Sequence, residues 1–208
     1  AIPERYQQQA LNDSYFTELK SEYQYLAHKF GLQAMDANQW RFLRLRPQNF
    51  PHIRIAQLAR LYYEQRAGLS QLLECESVKQ VRELLATQVT RYWETHYVFG
   101  EESVKSEKKL SATSLNLLII NTVAPFLFAY GKHKNAEKYC ERAFDFLEAL
   151  KAEDNHIVRM WKEVGLMVET AGDSQALIQL KKAYCDRKDC LRCRIGYEYL
   201  KGNSSLKG

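Results

Sequence analysis

The sequence predicts an all-α protein, and three observations carry that prediction. Apolar residues recur at three- and four-residue spacing along most of the chain. Helix-capping residues stand just ahead of those stretches. Almost no alternating apolar–polar pattern, of the kind a half-buried strand needs, is present. The expectation is a single helical domain, residues 1–208, of about eight helices. Short connections make sequence neighbours antiparallel, and a cysteine-rich turn follows at 184–196.

Taken in order, Asn12-Asp13-Ser14 offers a cap, after which Phe16, Leu19, Tyr23, Leu26 and Phe30 form one apolar stripe that Gly31 stops. A second helical piece includes Trp40 to Leu45. Pro47 and Pro51 then force a break, with Gln48-Asn49-Phe50 as the turn between them. The next helix runs from Ile53 to Ala67 and ends at Gly68. Ser77 with Gln80 makes a capping box for a helix reaching Tyr97. Glu101 to Lys109 is charged and reads as a loop. Ser111 or Thr113 starts a long apolar helix that Pro125 should kink or split, because the ring removes one hydrogen bond and crowds the preceding turn; Gly131 ends it. Asn135 caps a helix to Leu150 and Asn155 another to Thr170, which Gly172 closes. Asp173 caps a last helix, Ser174 to Tyr184. Phe128-Ala129-Tyr130-Gly131, Ala136-Glu137, Tyr139 and Ala143 match part of a tetratricopeptide hairpin. With one such unit visible, an ordinary helical hairpin is the reading.

Composition bounds the answer further. The hydrophobic fraction is 46%, with 13 Tyr and 9 Phe, enough for a core without disulfide staples. The net charge of +5 is uneven: residues 181–208 alone carry roughly +5, which suits an anionic partner or a solvated tail. Five cysteines is an odd number, and they are not dispersed as a disulfide framework would be. Ala1-Ile2-Pro3-Glu4-Arg5 is too polar for a signal peptide. The longest apolar stretch, Leu115 to Tyr130, is interrupted by Asn116, Asn121, Thr122 and Pro125, so no membrane span is expected. The compartment expected is the cytoplasm, where thiols stay reduced. The chain does not open on Met and reads as part of something longer.

Two segments carry candidate chemistry. Cys185, Cys190 and Cys193 fall within nine residues in a C-x4-C-x2-C pattern. Thiolates at that spacing converge on one point and suit zinc, with an iron–sulfur cluster behind it. A fourth ligand is missing locally; Cys75, Cys140, His133 and His156 could supply one only through folding, and three reduced cysteines without metal remain an alternative. The second segment is Trp40 to Gln57, where Arg44, Arg46 and Arg54 flank the Pro-bounded turn before a helix start. Guanidinium forks there could hold phosphate, and Trp40, Phe42 and Phe50 interleave them. The competing reading is that these arginines hold the bend. His28, His52 and His96 read as packing or helix-start residues. No Ser-His-Asp arrangement, P-loop, dinucleotide glycine motif or HExxH is present.

The segments WRFLRLRPQNFPHIRIAQLA (40–59), NTVAPFLFAYG (121–131) and DSQALIQLKKAYCDRKDCLRCRIG (173–196) resemble a bacterial family of unknown function, DUF2851. The resemblance implies that members are longer, that this chain is their C-terminal half, and that it implies no activity. The functional expectation is a helical binding or accessory module, metal-stabilised, with a phosphate or nucleic-acid contact at the Arg-Pro turn. The alternatives are a scaffold packing on an N-terminal region of the same protein, without external ligand, and an enzyme half-site completed by that region. Whether the chain is an enzyme stays open; no membrane partner is expected.

Overall fold

The computed structural model describes residues 7–36, 39–40, 42, 44–66 and 68–204. About 65% of the chain is helical, and among the described residues the only sheet is a two-stranded antiparallel ribbon. The all-α class is as the periodicity required. There are 11 helices rather than eight, because two long stretches expected to be single helices each give way to shorter pieces. Contacts group the chain into two compact units, Ala1–Cys75 with Gln80–Leu115, and Glu76–Lys79 with Asn116–Gly208.

In the first unit, α1 spans Gln7–Leu11 and α2 Ser14–Phe30. Both ends of α2 follow from single residues. The Asp13 carboxylate accepts the Phe16 N–H at 3.0 Å, and Gly31 closes the helix in the left-handed region at φ 62°. The apolar stripe of α2 is real but covers nothing: no residue of α2 is buried, and Leu19, Tyr23 and Phe30 are exposed. The helix expected over Trp40–Leu45 is absent at the described positions; Arg41 and Leu43 lie outside them. Arg44 takes φ 62°, and Arg46 is extended at ψ 143°, as the residue before a proline prefers. Pro47–Asn49 form one 3-10 turn. Pro51 then opens α3, Pro51–Tyr63, at the position where a missing N–H costs nothing.

After α4, Leu69–Glu74, helix α5 spans only Val78–Leu85 instead of reaching Tyr97. Thr87, Val89, Thr90 and Thr95 are β-branched and weak helix formers. The carbonyls just past the end also have other donors: Arg66 bonds the Glu83 carbonyl and, at 2.8 Å, that of Ala86, while Arg60 reaches Val89 O at 3.2 Å. A one-turn helix α6, Arg91–Glu94, leads into β1, His96–Val98, which pairs with β2, Glu101–Glu102. Phe50, Ile53, Ala56, Val89, Trp93 and Val98 form the core, with Tyr15, Phe42, Tyr92, Tyr97 and Phe99 packed around it.

Running through the start of the second unit is a continuous helical stretch, Ala112–Lys134. It comprises α7, Ala112–Leu118, a π-helical turn over Ile119–Val123, and α8, Ala124–Lys134. Pro125 does not split it. The Ala124 N–H reaches back five residues to Ile119 O, so the ladder widens one residue ahead of the ring, and Pro125 falls in the first turn of α8. The same turn keeps one side of the helix inward. Ile119, Val123, Leu127 and Gly131, four residues apart, are all buried. In a pure α-helix twelve residues at that spacing would drift by about 120°. By length and composition only, this 23-residue helix could cross a membrane, which the sequence reading missed because it counted the polar interruptions rather than the joined helix.

Gly131 does not end α8. It lies buried against α9, Glu137–Glu148, where an added Cβ would sit 2.7 Å from Cys140 Sγ and 3.0 Å from the Ala136 carbonyl. The stop is Asn135, at φ 52° and ψ 39°, which therefore closes α8 rather than capping α9. The small residues do let two helices approach closely, as the hairpin reading required. Asn155 caps α10, His156–Glu163, accepting the Ile157 and Val158 N–H groups, but Gly165 at φ 90° ends it well short of Thr170. Thr170 with Asp173 forms the capping box of α11, Ala171–Leu180, so Asp173 is its third residue and not its cap. A π turn over Lys181–Cys185 extends α11, and α12 spans Arg194–Ser204. Trp161 donates to Leu177 O at 3.2 Å, tying α10 to α11.

Gly131→Ala should destabilise the protein by about 1–3 kcal/mol, because the new methyl meets backbone that cannot swing aside. Cys140→Ala in the same chain should restore only part of the loss. Thermal melts of the single and double variants measure both.

Candidate functional site

The Arg-Pro turn separates its three arginines. Arg54 is half-buried and committed: Nη2 donates to Asn49 Oδ1 at 2.6 Å and Nη1 to Gln57 Oε1 at 2.9 Å. Burial lowers its pKa. It therefore clips the Pro47–Asn49 turn to α3. Arg44 and Arg46 are exposed. The aromatics between them do not form a stacking platform. Phe50 is buried, and half-buried Phe42 lies 5.4 Å from it and 5.0 Å from His52, ring centre to ring centre. His52 is itself enclosed by Phe42, Trp93 and Phe99, so the packing role expected for it holds.

The charged loop hides the unit's most committed cation. Lys108 is 5% exposed, and its ammonium donates to the carbonyls of Trp93, Glu94 and His96 at 2.5, 3.0 and 3.0 Å, with the Tyr97 ring 4.0 Å away. Its own carbonyl accepts from buried Gln57 Nε2 at 2.7 Å. Burial lowers the Lys108 pKa and nearby Glu94 opposes that shift. Ser103, Ser106 and Leu110 strap the rest of the loop to Thr95, Glu94 and Thr87 through backbone hydrogen bonds. Nothing local in the sequence marks Lys108; it sits among Lys105, Glu107 and Lys109, which are exposed.

Asp13 ties α2 to the ribbon. Besides capping Phe16, it accepts the Tyr92 hydroxyl and, at 2.8 Å, the Gly100 N–H. Burial alone would raise its carboxyl, but the hydrogen bonds from Tyr92, Phe16 and Gly100 outweigh it and hold the pKa below the ordinary 3.8. Tyr92 moves the other way, pushed up by burial and by its bond to Asp13. His96 stacks on Tyr92 with ring centres 4.1 Å apart.

A third cluster sits where α3 ends. Glu64 accepts Arg60 Nε at 2.7 Å through one oxygen and Arg66 Nη1 at 3.3 Å through the other, and both guanidiniums also hold the carbonyls past α5. These residues line a cavity of about 300 Å³ with Ala86, Thr87, Gln88, Lys109 and Leu110.

A family model described as a protein of unknown function, DUF2851, matches residues 5–156, well over half of the chain. The chain belongs to that family. No curated protein and no solved structure matches it. The DUF2851 match takes in the Arg-Pro turn, the arginine–glutamate cavity and Lys108. It stops before the cysteine segment, which the sequence resemblance had counted among the family's hallmarks.

In that segment Cys185 and Cys190 are exposed and Cys193 is buried. The turn is built by backbone bonds, from Asp189 N–H to Tyr184 O at 3.0 Å and from Cys193 N–H to Asp189 O at 3.2 Å. Lys188 takes φ 55°, and Gly196 packs against Cys190, where a Cβ would meet its carbonyl at 2.5 Å. Among the described residues no group of three or more His, Cys, Asp or Glu side chains is placed to hold a metal ion.

Lys108→Met should cost on the order of 3 kcal/mol, since it leaves buried carbonyls without their donor while keeping the side chain's bulk; denaturant unfolding measures it. Asp13 gives a pH dependence. Its lowered folded pKa contributes stability that is complete above 3.8 and lost as the pH falls from there through the folded value. Asp13→Asn, which can still cap Phe16, should be less stable at neutral pH by about 1–2 kcal/mol and show a flatter acid limb.

Proposed function

We propose that the first unit is an anion-binding module whose ligand is nucleic-acid phosphate, with Arg44 and Arg46 as its contacts. The observation that carries this is the division of labour at the Arg-Pro turn. Arg54 is used up on Asn49 and Gln57, and the turn it secures presents the two remaining guanidiniums to solvent. A turn held by an internal clip loses little conformational freedom when an anion docks, so more of the charge attraction appears as affinity. Contact would be to the backbone and insensitive to sequence, because Phe42 and Phe50 are committed to the core and cannot stack on bases.

A second reading, a scaffold packing on a further region of the same protein, has its own support in α2. Leu19, Tyr23 and Phe30 form an apolar face that nothing in the unit covers. The two readings differ in what the arginines do.

Fluorescence anisotropy with short single-stranded oligonucleotides at increasing salt separates them. On the binding reading the wild type binds at low salt. Arg44→Ala with Arg46→Ala then weakens binding and flattens the log Kd–log salt slope by roughly 1, at about 0.7 per phosphate contact. The melting temperature should stay unchanged, since both side chains are exposed. Arg54→Ala should instead lower the melting temperature. Absence of wild-type binding at low salt, or a double variant that binds like wild type, overturns the reading and leaves the scaffold.

A further inference from the structure

The geometry points to a second anion site, independent of Arg44 and Arg46: the cavity where α3 ends, with Arg60 and Arg66 as the recognition groups and a phosphoryl group as the ligand. The cavity of about 300 Å³ lies at the lower end of the range that small-molecule sites occupy. Its two guanidiniums are fixed before any ligand arrives. Glu64 takes one from each side, and the carbonyls of Val89, Ala86 and Glu83 hold the other edges.

Those contacts do not exhaust the arginines. Each guanidinium has five N–H donors. Arg60 spends Nε and one Nη1 hydrogen; Arg66 spends its Nη1 group and one Nη2 hydrogen. Both Nη2 hydrogens of Arg60, and Nε–H of Arg66, make no contact among the described residues. Charge is also in surplus. Two guanidiniums face one carboxylate, and hydrogen bonding from Arg60 and then Arg66 holds Glu64 below the usual carboxylate range, so it stays ionised and cannot take up a second role as a proton donor. Lys109 at the rim is paired with Glu107 and can turn to an incoming anion.

The chemistry selects the ligand. A divalent cation is repelled, and an apolar molecule would strand the donors. A tetrahedral oxyanion can accept from two differently oriented forks at once, which a planar carboxylate does less well. The phosphoryl group could belong to a free phosphate or phosphomonoester, or to a nucleic-acid backbone.

The test uses the intact chain, with arginine Nε–Hε resonances and melting temperature read during titration. The probes are inorganic phosphate, a short oligonucleotide without terminal phosphate, and the same oligonucleotide 5′-phosphorylated. Saturable shifts at Arg60 and Arg66 Nε with at least one probe are expected, and which probe gives them assigns the source. Arg60→Gln should weaken that binding about tenfold and Lys109→Gln about two- to threefold, the loss of charge-assisted hydrogen bonds. Arg44→Ala with Arg46→Ala should leave it unchanged, so failure of either site is told apart from failure of the other. If Arg60→Gln does not fold, the wild-type resonances and the exposed Lys109→Gln variant decide. No Nε shift with any probe, or variants that bind as wild type, overturns the site.

Discussion

The first unit is organised around one buried ammonium group. Taking a charge out of water is expensive unless every proton on it finds an acceptor, and Lys108 finds three carbonyls together with the face of Tyr97. Those carbonyls lie where α6 turns into the β-ribbon, the point at which the helix would otherwise end with unsatisfied oxygens. Through its own carbonyl and Gln57, the same residue fixes α3. A long loop without regular structure thereby becomes part of the framework.

The same economy recurs with the arginines. Arg54 secures a turn; Arg60 and Arg66 supply donors to a strandless segment between α5 and α6. Cations that a charge count assigns to the surface are here partly internal hydrogen-bond donors. Net charge therefore overstates what the first unit can offer a nucleic acid, and the contact has to be argued from individual side chains. Within the DUF2851 family match all of these clips are included, whereas the cysteine turn is not. Cysteine spacing alone offered the more conspicuous motif, yet the folded chain leaves Cys185 and Cys190 exposed and Cys193 buried.

What was legible in the sequence was what one or two adjacent residues decide. Asp13 and Gly31 set the ends of α2, and Asn155 starts α10, because a side-chain oxygen or a left-handed residue acts within its own turn. Hairpin packing at Gly131 was also legible, though its role was misassigned: a glycine can stop a helix or admit a neighbour, and only Cys140, nine residues on, shows which. The end of α5 was not legible, since Arg66 acts from 17 residues away. Neither was Lys108, whose partners lie 12 to 15 residues back. Of the proposed site, the arginines could be read as a group, but not that Arg54 would be consumed by an asparagine and a glutamine.

The π turn before Pro125 is in effect one residue more than an α-helix needs. Removing a residue from Ile119–Val123 would let the ladder close as ordinary α-helix, and locally the chain would look more regular. It would also advance everything beyond by about 100°, carrying Leu127 and Gly131 off the side that meets α9. The irregularity is thus a phase setting: the length of this segment, more than the identity of its residues, decides which side of α8 its partner sees.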